Sequence, residues 1–138
     1  MSLHPGNWMT KIFYFMWRIK NMKILKTDIE NLSENKKMLY KLTQASSKSV
    51  SKLKDEELDV SHPVDAYLLY EDTNKKGNTI TLLSIVSGSE VFTAQSQTLQ
   101  ESFFKIVDLM DGDPFSIIFT QGISNNGRHF VDCEMDCT

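Results

Sequence analysis

The sequence predicts a mainly β fold, a small five-stranded barrel with one α-helix between its third and fourth strands. Three observations predict it. Short runs of alternating or nearly continuous apolar residues recur along the chain. Turn residues such as Gly, Asn and Ser separate these runs. One segment, residues 98–110, instead carries its apolar residues at helical spacing. The 138 residues are enough for one domain with one hydrophobic core.

Residues 38–94 predict mainly strands, with one or two turns of helix possible over residues 45–54. Residues 38–43 form a short apolar run that predicts a strand. Residues 64–71 are nearly continuous in apolar residues and predict a central strand, and Pro63 just before them cannot donate a ladder hydrogen bond. Residues 79–86 are rich in β-branched side chains, and residues 90–94 follow them after a Ser-Gly-Ser turn. These last two runs therefore predict a hairpin.

The helix and the closing hairpin have clear boundaries. The hydroxyl of Ser96 or Thr98 can cap the predicted helix, and a Gly-Asp-Pro sequence ends it. Residues 115–121 and 128–135 alternate in polarity, and an Asn-Gly dipeptide between them favours a tight turn. Counted from residue 64, three strands, a helix and two strands follow one another in the order of an OB-fold. We therefore expect residues 23–138 to form a single OB-like domain.

The leader, residues 1–22, differs from the rest of the chain. Its apolar run, residues 12–17, is far shorter than the ~20 residues that span a bilayer. It also lacks the cleavage site of a signal peptide. We interpret the leader as coming from an expression vector or an upstream start codon. The alternative is an interfacial anchor or a partner-binding segment.

Charge is distributed unevenly along the chain. Residues 1–26 carry five basic and no acidic side chains, so the remaining residues must net −8 to give the total of −3. Such a domain is not attracted to phosphates as a whole, and any nucleic-acid site must be a local basic strip. Solvation alone would explain most of the candidate cations equally well. These are Lys36, Lys37, Lys41, Lys48, Lys52, Lys54, Lys75, Lys76 and Arg128.

The last predicted strand sorts its side chains onto two faces. One face, which suits a core, reads His129, Val131, Cys133 and Met135, and the other reads Arg128, Phe130, Asp132 and Glu134. An exposed ring beside a guanidinium can stack on a base of any identity. Phe130 and Arg128 therefore predict a site that binds single strands without reading sequence. The alternative is that the strand is covered on both sides and Phe130 is part of the core.

Three further rings are secondary candidates for base stacking. Tyr67 and Tyr70 lie on opposite faces of one predicted strand, so at most one of them can point into a single-layer core. Phe92 lies in the hairpin arm that leads to the helix. The lysines expected to contact phosphates beside these rings are Lys41, next to the run at residues 38–43, and Lys75 and Lys76, in a loop between strands.

Catalysis finds little support in the sequence. The chain has no Gly-rich phosphate loop and no G-x-S-x-G motif, and its three histidines are scattered. Cys133 and Cys137 have no partners for a zinc site, so we expect free thiols in a reducing cytosol. We predict no catalytic residue, no metal site, no cofactor and no enzyme activity. A hydrolase or nuclease built on Asp65, Asp72 and Asp132 would require these carboxylates to cluster within reach of a metal.

Several strings of the sequence, taken in order, resemble one protein family. They are Leu68-Leu69-Tyr70-Glu71-Asp72-Thr73-Asn74, Leu83-Ser84-Ile85, Glu90-Val91-Phe92-Thr93-Ala94, Phe103-Phe104-Lys105-Ile106-Val107-Asp108, Phe115-Ser116-Ile117 and Ser124-Asn125-Asn126-Gly127-Arg128. Together they look like the small single-stranded DNA-binding proteins of phages of lactococci and related Gram-positive bacteria. The resemblance covers about residues 36–133 and leaves the leader outside.

The resemblance implies an OB-fold that binds single-stranded DNA in phage DNA replication or recombination. It further implies a homo-oligomer in the cytoplasm of the host cell, with no cofactor and no membrane, beside other replication or recombination proteins. It does not assign the DNA-contacting rings, so the candidate residues depend on the strand-face argument. The rival hypothesis is a phage-encoded protein-interaction module, an adaptor or inhibitor of a host protein, which an acidic surface fits somewhat better.

Overall fold

In a computed structural model that describes residues 22–43 and 47–138, the described chain contains eight strands and two α-helices. The strands are β1 Lys23–Thr27, β2 Lys48–Ser49, β3 Ser61–Pro63, β4 Ala66–Thr73, β5 Thr79–Ser87, β6 Glu90–Ala94, β7 Ser116–Ile123 and β8 His129–Met135. The helices are α1 Lys36–Thr43 and α2 Gln97–Met110. The protein is therefore mainly β, as the sequence predicts. Apart from Met22, the leader lies outside the described residues.

The strands form two sheets. The five-stranded sheet has the order β1-β4-β5-β6-β2, and the three-stranded sheet has the order β3-β7-β8. Strand pairs are antiparallel except for β2 and β6, which pair in parallel through two residues. Within the described residues no ladder links β8 to β6 or β2, so the two sheets do not close into one barrel. A seam separates the two sheets at this point.

The five-stranded sheet has a hydrophobic core on each face. The first core joins it to α2 and the three-stranded sheet, and its fully buried members are Val50, Leu83, Ile85, Phe92, Leu99, Phe103, Ile117 and Phe119. The second core joins its other face to α1, through Leu32, Leu39, Leu42, Leu68, Tyr70, Val86 and Val91. Alternation along β4 explains this arrangement, since adjacent side chains point to opposite faces. Both faces are apolar because both are covered.

Residues 38–43 belong to helix α1, and the prediction of a strand there is wrong. Leu39 and Leu42 are spaced as neighbours on one helix face, and both are buried. Asn35 begins the helix, because its side-chain Oδ1 accepts a hydrogen bond from the Met38 backbone N–H at 3.1 Å. The Ser84 hydroxyl on β5 donates to the Leu42 carbonyl at 2.7 Å and fixes the end of α1 on the sheet.

The other predicted elements are present with small shifts of their ends. Ser96 caps α2, since its hydroxyl accepts a hydrogen bond from the Leu99 backbone N–H at 3.3 Å. Helix α2 ends at Asp111 in the left-handed conformation. The β4–β5 and β7–β8 hairpins close with the same loop geometry, in which Gly77 and Gly127 adopt positive φ angles.

Candidate nucleic-acid interface

The structure buries three of the four rings expected to stack on bases. Tyr67, Tyr70 and Phe92 are 8%, 1% and 2% exposed, so their assignment to a nucleic-acid site is corrected. Tyr67 and Phe92 belong to the core between the sheets, and Tyr70 belongs to the core under α1. The expectation that one tyrosine must be exposed assumed a single core. Two cores, one on each face of β4, bury both tyrosines.

Phe130 on β8 is the candidate ring that remains accessible, with 37% of the residue exposed. The burial of β8 follows its alternation: Cys133 is buried, Val131 and Met135 pack against the first core, and Glu134 is exposed like Phe130. One face of β8 therefore packs against the first core. The side that carries Phe130 faces away from that core.

The ring of Phe130 lies flat on the backbone of Gly122, its cross-strand partner on β7. A Cβ atom placed on Gly122 would lie 2.5 Å from Cζ of Phe130 and 2.9 Å from each Cε. Because these distances differ by only 0.4 Å, the ring presents its face, not its edge, to Gly122. One ring face is therefore occupied by the hairpin. The opposite face is the one that a base can reach.

Phe130 also borders a groove of about 320 Å³ at the seam between the sheets. Three segments line it: the turn after β2, the connection from β6 to α2, and the start of β8. The lining residues are Ser49, Val50, Ser51, Ala94, Gln95, Ser96, Leu99, His129, Phe130 and Val131. The lining thus combines hydroxyl, amide and imidazole side chains with apolar ones. A groove of this composition suits a planar polar group such as a nucleobase.

The N-terminus of α2 opens at this groove, through its cap Ser96. The first turn of α2 contains no acidic residue, so nothing within that turn offsets the positive end of the helix dipole. Backbone N–H groups at such an end favour anions. The positive end of the α2 dipole therefore borders the groove, although the domain is acidic.

The two hairpin loops bring three of the nine candidate cations to this end of the molecule. Arg128 is exposed two residues before Phe130, and Lys75 and Lys76 are exposed in the β4–β5 loop. Leu83 pairs with Ala94 at the groove, and the β4–β5 loop precedes Leu83 by four strand residues. At about 3.3 Å per residue this is about 13 Å along β5. The loop thus lies beyond the same end of the sheet as the groove.

Lys41 does not belong to this surface. It lies on α1, which packs against the opposite face of the five-stranded sheet. Lys48, another candidate cation, lies next to the groove but is paired with carboxylates: its Nζ is 2.9 Å from Glu90 and 3.3 Å from Glu57. Hydrogen bonds to Glu90 and Glu57 raise the pKa of Lys48. These two carboxylates compensate its charge locally.

Several residues of this surface escaped the sequence analysis. Gly122 was missed because its contact with Phe130 depends on strand register. The groove residues Ser49, Ser51 and Gln95 were missed because the seam that assembles them joins distant segments. Ser96 did carry a signal, since a cap hydroxyl marks a helix N-terminus, but sequence alone does not show what that end faces.

The carboxylates of the nuclease hypothesis have other roles in the structure. Asp65 accepts a hydrogen bond from the Gly88 N–H at 2.6 Å, Asp72 is buried, and Asp132 accepts from the Cys133 N–H at 2.8 Å. Across residues 22–43 and 47–138, no three His, Cys, Asp or Glu side chains are placed to hold a common metal ion. No helix in the same ranges is long and apolar enough to cross a membrane.

Comparisons with known proteins returned no relative. No protein-family model, no curated protein and no solved structure matches the chain.

Proposed function

We propose that the protein binds single-stranded DNA without sequence preference, by stacking bases on the free face of the Phe130 ring. The observation that carries this proposal is the contact between Phe130 and Gly122. It places an aromatic ring flat on the surface with one face outward, two residues after the exposed Arg128. A flat ring held in this way can stack on any base, since every base has a π-face.

The proposed strand path runs from Phe130 along the groove towards the β4–β5 loop. Arg128 would contact the backbone at one end of this path, and Lys75 and Lys76 at the other. Asp132 and Glu134 continue β8 beyond Phe130 and disfavour phosphates there, so the strand should leave Phe130 on the side of Arg128. Three cationic contacts predict a slope of roughly −2 for the logarithm of affinity against the logarithm of salt concentration.

We further propose that the two sheets form a partly open OB-fold. The chain order β4, β5, β6, α2, β7, β8 supports this, together with the pairing of β3 with β7. In an OB-fold the loops between the first two and the last two strands flank the binding face. Here these would be the β4–β5 and β7–β8 loops. With the resemblance to phage proteins, this gives the proposed role: a homo-oligomeric cytoplasmic protein of phage DNA replication or recombination.

A fluorescence anisotropy titration tests the proposed function. The full chain is titrated against labelled oligo-dT at low salt, in parallel with Phe130→Ala and with Leu109→Ala. Leu109 is the matched control, because it is 73% exposed and lies in the last turn of α2, at the end of the helix away from the groove. We expect saturable binding that Phe130→Ala weakens by about 1–3 kcal/mol and that Leu109→Ala leaves unchanged.

Two outcomes of this titration would contradict the proposal. Equal affinity of wild-type protein and folded Phe130→Ala would show that the ring does not carry binding. Absence of binding at tens of micromolar protein would favour a protein-interaction module instead. The observation that favours this second candidate is the net charge of −8 over residues 27–138, to which Asp132 and Glu134 contribute beside the ring.

A further inference from the structure

We infer that Gly122 is a positioning residue of the proposed DNA site, because its missing side chain is what allows Phe130 to lie flat. This inference rests on the proposed function. A Cβ atom on Gly122 would come within 2.5 Å of the ring, closer than real Cβ contacts, so any other residue must displace the ring. Gly122 thus acts on DNA through Phe130.

Backbone conformation does not explain why position 122 is a glycine. Gly77, Gly88, Gly112 and Gly127 all have positive φ angles, which L side chains rarely adopt. Gly122 is the one glycine of the described residues without such an angle. It lies within the paired part of β7, where glycine weakens a strand because it costs backbone entropy and offers no side chain to pack. The remaining reason for glycine at this position is that the Phe130 ring occupies the space that a side chain would need.

The consequence for binding is one of preorganisation. A ring seated on Gly122 already has one face covered and the other exposed, so stacking costs it little side-chain freedom. A ring pushed off Gly122 keeps its chemistry but loses its fixed orientation, and it must be ordered again by the base. Alanine at position 122 should therefore weaken DNA binding in the same way as removal of the ring, although it touches no nucleotide.

A double-mutant cycle tests this inference. Gly122→Ala, Phe130→Ala and the double variant are titrated against labelled oligo-dT beside the wild-type chain, and circular dichroism records their folding and thermal midpoints. We expect Phe130→Ala to weaken binding by about 5- to 150-fold. Gly122→Ala should weaken binding at least about fivefold while it changes the midpoint by a few degrees at most. The double variant should bind no more weakly than Phe130→Ala alone.

The outcomes separate this inference from the proposed function. Wild-type affinity in Phe130→Ala overturns the proposed function. A loss in Phe130→Ala with wild-type affinity in Gly122→Ala overturns the positioning role alone, and so does an additive loss in the double variant. If Gly122→Ala fails to fold but the double variant folds, the clash with the ring is demonstrated. If neither folds, the glycine serves the backbone and the inference is wrong.

Discussion

Replacement of Leu42 by alanine should destabilise the protein by about 2–5 kcal/mol without affecting the proposed DNA site. Leu42 is 1% exposed and belongs to the core between α1 and the five-stranded sheet. Truncation to alanine removes three carbon atoms from this core, which costs about 2.4 kcal/mol in transfer free energy. The cavity left beside Leu39, Leu68 and Tyr70 adds to this cost, because backbone hydrogen bonds hold the surrounding strands in place.

Lys37→Ala is the matched control, since Lys37 is exposed on the same helix. Its substitution should change the free energy of unfolding by no more than about 0.5 kcal/mol. Urea and thermal unfolding, followed by circular dichroism, measure both variants. For a domain of this size the Leu42→Ala thermal midpoint should fall by roughly 10–20 °C. At a temperature where the variant is folded, its affinity for oligo-dT should equal that of wild type, because α1 and the groove lie on opposite faces of the sheet.

Two results would refute this reasoning. A loss of stability below about 1 kcal/mol in Leu42→Ala would show that α1 does not cover the sheet as described. A folded Leu42→Ala variant that no longer binds oligo-dT would place the nucleic-acid surface on the α1 side.

Three further predictions follow from burial. Phe119→Ala, which empties a fully buried site, should lower the free energy of unfolding by about 3–5 kcal/mol, and Phe130→Ala should lower it by about 1 kcal/mol. Urea unfolding measures both variants, and equal losses would make Phe130 a core residue. Burial lowers the pKa of His62 in the folded protein below its ordinary value of 6.5. The contribution of neutral His62 to the free energy of unfolding should therefore be fully present above pH 6.5. It should decline as the pH falls further, because the unfolded chain binds the proton more readily. Denaturation midpoints against pH check this, and His62→Gln should lack that component. Burial also raises the pKa of Cys133 to about 12, so a thiol reagent at pH 8 should modify Cys137 in the native protein and Cys133 only after unfolding.

The sequence predicted those parts of the fold whose signals are local and long enough to be unambiguous. The alternation of β8 separated Phe130 from Cys133 correctly, since pleating alone determines the two faces of a strand. The apolar spacing of α2 predicted its buried side, including Phe103. Residues 38–43 are too few for periodicity to distinguish a strand from a helix, although Asn35 just before them is a residue type that caps helices.

The burial of the tyrosines depends on tertiary structure. Whether Tyr70 is exposed is decided by what covers its side of β4, and the covering element, α1, lies about thirty residues earlier in the chain. Once residues 38–43 were read as a strand, nothing remained to cover Tyr70. A single wrong assignment therefore left a ring available for a surface to which it does not belong.

The contact between Phe130 and Gly122 depends on the register of β7 and β8, which the Asn-Gly dipeptide alone does not determine. A two-residue turn at Asn126 and Gly127 would place Ile123 opposite Phe130. The structure instead has a three-residue loop, closed by hydrogen bonds between Ser124 and Arg128, which places Gly122 opposite the ring. Because one residue of slip exchanges the faces of a strand, this detail decides whether the ring meets a side chain or bare backbone.

The most direct test of the account is whether a ring at position 130 contacts a base. Phe130→Trp places a fluorophore there, and the wild-type chain, with its two tryptophans in the leader, provides the background signal. Stacking predicts that oligo-dT quenches the additional emission saturably, with the same midpoint as the anisotropy titration. Binding detected by anisotropy without any change in that emission would place the DNA elsewhere on the protein and contradict the account.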